Sequence, residues 1–75
     1  MTQSLTQLER RVLATLAERE DVPPGGLAIE LDADLGRVLD AVATLRERGL
    51  LARVGFATCR LTDRGREAAA ATAAE

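Results

Sequence analysis

Between Leu27 and Leu51 the chain carries two short apolar stripes at helical spacing, separated by a three-residue polar link. The first stripe is Leu27, Ala28 and Leu31; the second is Val38, Val42 and Leu45, at i, i+4 and i+7. The link is Asp32-Ala33-Asp34, and the second stripe ends at Gly49 and runs into Leu50-Leu51. Such a pattern reads as two short helices joined by a tight polar link, each with one face to bury. The spacing predicts helices over about 26–31 and 35–48. Asp34 is placed to cap the second of these, with its charge favourable at the helix N-terminus. Gly49 closes it in the left-handed conformation that glycine adopts without strain. Arg46 and Arg48 fall in its last turn, where positive charge is favourable.

The flanking segments supply the third element and more. Thr6-x-x-Glu9 fits a capping box, in which hydroxyl and carboxylate each satisfy a free N–H of the first turn. Leu8, Val12, Leu13 and Leu16 follow at helical spacing, which predicts a helix over about 7–19 with Arg10, Arg11, Glu18 and Arg19 on a solvated face. The stretch from Asp21 to Gly26 reads as punctuation, because two prolines followed by two glycines do not continue a helix. Ile29 is expected at the edge of the core. After Gly49, two apolar runs, Leu50 to Val54 and Ala57 to Leu61, flank Gly55-Phe56. A two-residue turn with Gly first suits a type II′ hairpin. That register pairs Val54 with Ala57, Arg53 with Thr58, Ala52 with Cys59 and Leu51 with Arg60. It sends Ala52, Val54, Ala57 and Cys59 to the core and puts Arg53 and Arg60 together on the exposed face. Thr62 is the expected N-cap of a last helix over about 63–73, built almost wholly of alanine, a strong helix former with little apolar area.

This order of elements, together with the segment Arg60-Leu61-Thr62-Asp63-Arg64-Gly65-Arg66, resembles the winged helix-turn-helix of small MarR- and PadR-type prokaryotic transcriptional regulators. The resemblance covers most of the chain, and it implies a short strand before the second helix, with Val22 as its remnant. It implies an α+β, mostly helical fold: a three-helix core, a two-stranded β-hairpin wing over about 50–61 and a short C-terminal helix, all in one domain spanning 1–75. It also implies a DNA-binding regulator of transcription, with the third helix in the major groove of double-stranded DNA and the wing on the phosphate backbone. The candidate DNA-binding positions it implies are Gly36, Arg37, Leu39, Asp40 and Thr44 on the helix, and Arg53, Gly55, Arg60 and Arg64 in and after the wing; Leu39 and Asp40 stand where the family more often has a polar or aromatic and a basic residue. Arg37 is the candidate for a base or phosphate contact. Leu39 fits a thymine methyl, the core or a partner surface. Asp40 repels phosphate but can accept a hydrogen bond from cytosine N4.

Charge sets a competing expectation. The chain of 75 residues has a formal net charge of -2, whereas a basic face is the usual footprint of a DNA binder. The balance is uneven. Arg53, Arg60, Arg64 and Arg66 stand against Asp63 alone between Leu50 and Arg66, while six arginines face nine acids up to Gly49. A second reading is therefore a protein–protein interaction module without DNA binding, using Leu39, Leu51, Ile29 or Phe56. A homodimer built on the wing or on the first helix is compatible with either.

Several functions are excluded by what the chain lacks. It has no histidine and one cysteine, which removes His-based catalysis and most metal clusters, so neither an enzyme nor a cofactor is expected. No small-molecule site is evident. Phe56 is the only aromatic residue, so stacking on single-stranded bases is not expected. Cys59 falls on the buried face of the wing, where thiols are inert. No signal-peptide run and no membrane-length segment are present, which suits a cytoplasmic protein.

Overall fold

The structure, a computed structural model, describes residues 5–19, 21–55 and 58–73. Its elements follow in the order α1 (Gln7–Glu18), α2 (Pro24–Leu31), α3 (Leu35–Glu47), β1 (Leu51–Val54), β2 (Thr58–Leu61) and α4 (Asp63–Ala73). The result is a winged helix: three core helices, an antiparallel two-stranded wing and a closing helix. Helix α1 packs against α3 and α4, α2 packs against α3, and the wing leans on α1 and α3.

Each helix begins where local chemistry requires. At α1 the Thr6 hydroxyl accepts from the Glu9 N–H (3.1 Å) and the Glu9 carboxylate accepts from the Thr6 N–H (2.9 Å), a complete capping box. Asp34 caps α3 by accepting from the Arg37 N–H at 3.3 Å. Between α2 and α3 the chain turns through Asp32 in the left-handed conformation (φ 53°). The Ala33 N–H reaches back to the Ala28 carbonyl at 3.0 Å there, and Arg11 of α1 donates to the Leu31 carbonyl at 2.7 Å. Thus the helix-turn-helix angle is fixed by backbone bonds and by one side chain from outside it.

Helix α2 starts at Pro24, two residues before the expected boundary. Prolines break a helix in its interior, but Pro24 occupies the first turn, where a missing N–H costs nothing and the fixed φ suits a helix. Helices α1 and α3 stop one residue short of the expected ends, with Arg19 and Arg48 as C-cap residues. Gly49 has φ 79°, as its place after α3 requires.

The wing differs from expectation in register. The ladder pairs Leu51 with Leu61, Ala52 with Arg60, Arg53 with Cys59 and Val54 with Thr58. Three residues, 55–57, therefore separate the paired ends rather than two. A one-residue slip turns every side chain of one strand to the other face. The reason lies in the leucines. In the two-residue register Leu51 would face Arg60 in solvent. In the observed one Leu51 and Leu61 oppose each other, 3% and 5% exposed. Ala52 and Val54, expected in the core, are instead exposed and half-buried. Phe56 and the expected core residue Ala57 lie outside the described residues. Val22 does form the expected remnant strand, as an isolated bridge to Cys59.

The core is aliphatic. Leu13, Leu27, Leu45, Val12 and Val38 are fully buried, with Leu16, Leu31, Val42, Leu50, Leu51 and Leu61 around them. Among the described residues no buried side-chain nitrogen or oxygen lacks a hydrogen-bond partner.

Candidate nucleic-acid interface

Because α3 spends Val38, Ala41, Val42 and Leu45 on the core, its opposite side is open. At 100° per residue Gly36, Asp40 and Ala43 point most directly away from that stripe, with Leu35 and Leu39 on one flank and Arg37 and Thr44 on the other. All are exposed except Thr44, which is half-buried. The Arg37 flank borders an open groove of about 670 Å³. Asp32, Ala33 and Asp34 of the interhelical turn, Asp40 and Thr44 of α3, and Glu9 and Arg11 of α1 also line it. Two arginines thus face four carboxylates in the groove. One carboxylate, Glu9, is already committed to the α1 cap and lies 3.9 Å from Arg48. Gly36 sits over the Asp34 cap, where an added Cβ would lie 3.0 Å from the Asp34 carboxylate. Its bareness keeps the cap accessible.

The wing does not bring Arg53 and Arg60 together. Arg53 is on the strand face shared by Leu51, Cys59 and Leu61, but toward the tip, where it is exposed. Arg60 is on the opposite face and forms a two-pronged ion pair with Asp21, both N···O distances being 2.9 Å. The Arg60 hydrogen bonds hold the Asp21 carboxyl below its ordinary value. The expectation of two arginines on one exposed face is therefore corrected: one lies on each face, and Arg60 carries a counter-charge. Gly55 stands at the start of the tip with φ 65°. Arg64 lies at the far end of α3, its guanidinium 3.6 Å from where a Cβ on Gly49 would be.

Thr62 joins these parts. Its hydroxyl donates to the Gly49 carbonyl (2.6 Å) and accepts from the Gly65 N–H (3.0 Å), while its own N–H donates to the Leu50 carbonyl (3.0 Å). The end of α3, the root of the wing and the start of α4 meet at this one residue. Cys59 is buried, and desolvation pushes its thiol above its ordinary pKa. Of the proposed protein-contact residues, Leu51 is buried, whereas Ile29 is 84% exposed and Leu39 48%. Leu35, which the helical spacing also turns outward, is 48% exposed. Among the described residues no cluster of acidic or cysteine side chains is arranged to hold a metal ion, and no helix is long and apolar enough to cross a membrane.

No protein-family model matches the chain. Over 51 residues, 68% of its length, the chain is 41% identical to a segment of the phenylalanine–tRNA ligase alpha subunit of Methanopyrus kandleri, which makes up 10% of that protein. Among solved structures it is similar to a MarR family transcriptional regulator of Silicibacter pomeroyi (33% identity, TM-score 0.83), covering 89% of this chain and 51% of that one. It is similar also to the Mycobacterium tuberculosis MarR family protein Rv2887 (26% identity, TM-score 0.87; 93% and 53%). A MarR family protein of Bacillus stearothermophilus has the same fold (23% identity, TM-score 0.88; 96% and 54%). The chain thus resembles MarR-family winged helices and spans about half the length of these proteins.

Proposed function

We propose that the chain binds double-stranded DNA as a regulator of transcription, with the outer side of α3 in the major groove and the wing against the backbone. The observation that supports this best is the division of labour within α3. One stripe builds the core, and the whole opposite side, Leu35 to Thr44, is held rigidly outward by a capped N-terminus and a helix-turn-helix angle tied at Leu31. Fold alone does not fix function, but the likeness to regulators of transcription leans the same way. In this reading Arg37 on α3 and Arg53 on the wing are cationic contacts, and Arg64 supports them from the end of α3. Arg60 lies on the opposite face of the wing, paired with Asp21, and contributes less.

Binding of the whole chain to random-sequence duplex DNA over a salt series tests the proposal. Each phosphate contacted by a cation adds about -0.9 to the slope of log K against log salt. Arg37→Ala and Arg53→Ala should each make the slope shallower by about that amount, and Arg60→Ala by less. Absence of binding at low salt sinks the proposal. A duplex-RNA arm belongs in the same titration, given the segment shared with a tRNA ligase subunit.

A second reading, a protein-interaction module, is favoured by one observation: Ile29 stands 84% exposed on α2. It predicts association with a partner protein that is insensitive to salt and is lost in Ile29→Ser.

A further inference from the structure

Leu35 and Leu39 are two of the three large apolar side chains exposed among the described residues, each at 48%. They sit one turn apart on the same flank of α3. The core does not use them, and the groove beside Arg37 does not include them. Their neighbours on the outer side of the helix are Asp34, Gly36, Asp40 and Ala43, which are charged or small. The apolar strip they form is therefore narrow. A protein partner covers roughly 800 Å² on each side of a standard interface, and even weak protein-binding patches run to a few hundred Å². Two half-exposed leucines bounded by carboxylates fall short of either.

A thymine methyl asks for much less. It projects into the major groove and needs one apolar side chain in van der Waals contact. The spacing fits. From Leu35 to Leu39 the helix advances about 6 Å, and two base steps rise about 7 Å. The polar residues of the same helix sharpen the choice. Helix α3 contains no Asn or Gln, the side chains that read adenine by paired hydrogen bonds. Arg37 suits guanine and Asp40 suits the amino group of cytosine, so an A·T pair facing this helix is left to be read through its methyl group. We propose that Leu35 and Leu39 determine specificity by contacting the methyl groups of two thymines two base steps apart in the major groove. This rests on the DNA-binding reading above.

The experiment uses duplexes enriched from a random pool by the whole chain at low salt. Each thymine is replaced in turn by deoxyuridine, which removes the methyl and nothing else. At two thymines, two steps apart, the replacement should weaken binding about fourfold, the value of one buried methyl. A 5-methylcytosine·guanine pair at the same position should retain more affinity than an unmethylated cytosine·guanine pair. Leu35→Ala and Leu39→Ala should each abolish the thymine–uracil difference at its own position, with circular dichroism unchanged. Binding that is indifferent to uracil at every position overturns this inference and leaves DNA binding standing. Failure to bind any duplex at low salt overturns both. The uracil series uses the unaltered protein, so its outcome does not depend on how the variants fold.

Discussion

Gly65 is the residue whose identity the packing dictates most strictly. It lies in the first turn of α4, where a Cβ would come within 2.0 Å of the Leu50 carbonyl oxygen and 3.0 Å of its carbon. Both are backbone atoms at the root of the wing, and the same oxygen accepts from the Thr62 N–H. Nothing flexible can yield there. Gly65→Ala should therefore cost about 2 kcal/mol or more through overpacking, and lower the melting temperature by roughly 10 °C for a domain this small. A thermal melt checks it, and an unchanged melting temperature would mean that α4 shifts freely. Asp21 shows the opposite case, a surface residue with a defined electrostatic role. Its carboxyl is held below its ordinary value by Arg60. A depressed carboxylate adds stability at pH values above its unfolded pKa, and that stability is lost as pH falls through the folded one. Asn accepts the same left-handed backbone. Asp21→Asn should thus melt lower than wild type near neutral pH, and the two curves should converge in acid. A gap that persists well below the carboxylate range would show that the ion pair is not its source.

At the scale of elements the two periodicities carried most of the fold. The stripes of α1 and α3, the capping box at Thr6 and Glu9, the cap at Asp34 and the positive φ at Gly49 are all local, and local chemistry is what a sequence displays. The register of the wing was not legible, because it depends on which residues the helices leave room for. Gly55-Phe56 offers an acceptable two-residue turn, yet burying Leu51 and Leu61 as a pair outweighs it. Loss of a buried leucine side chain costs 2–5 kcal/mol, more than any turn preference supplies. The surroundings of Arg60 follow from the same register, and its partner Asp21 lies 39 residues away, a distance no local pattern displays. The start of α2 is ambiguous in the sequence for a smaller reason: a proline opens a helix as readily as it ends one, and Pro24 opens α2. Register makes its own prediction. Leu51→Ala should destabilise by about 2–5 kcal/mol, whereas Ala52→Thr on the outer face should stay within about 0.5 kcal/mol of wild type. Chemical denaturation of the two variants reads the register directly, and the reverse ranking would restore the two-residue turn.

At the scale of the whole molecule, the proposed DNA binding requires a chain of net charge -2 to approach a polyanion. Its acids are not spread evenly about the proposed interface. Asp32 and Asp34 sit in the interhelical turn and Asp40 on the outer side of α3, beside Arg37. If that side faces DNA, these carboxylates oppose general attraction to phosphate while Asp40 remains able to select a base. Affinity for arbitrary sequence would then be low and discrimination comparatively high. Neutralising single acids separates the two effects. Removing one charge near a phosphate is worth roughly 1 kcal/mol under solvent-exposed conditions, or about fivefold in affinity. Asp34→Asn should strengthen binding to random duplex by that order without unfolding α3, because Asn caps a helix about as well as Asp. Asp40→Asn should strengthen it similarly but lose preference at one position of a selected site, since the amide no longer offers a carboxylate to cytosine. The measurement is a paired titration of random and selected duplexes at one salt concentration. Equal gains on both duplexes from Asp40→Asn would make Asp40 a purely electrostatic brake. No gain from either substitution would place the acidic turn and α3 away from DNA, and the exposed Ile29 on α2 would become the surface to test next.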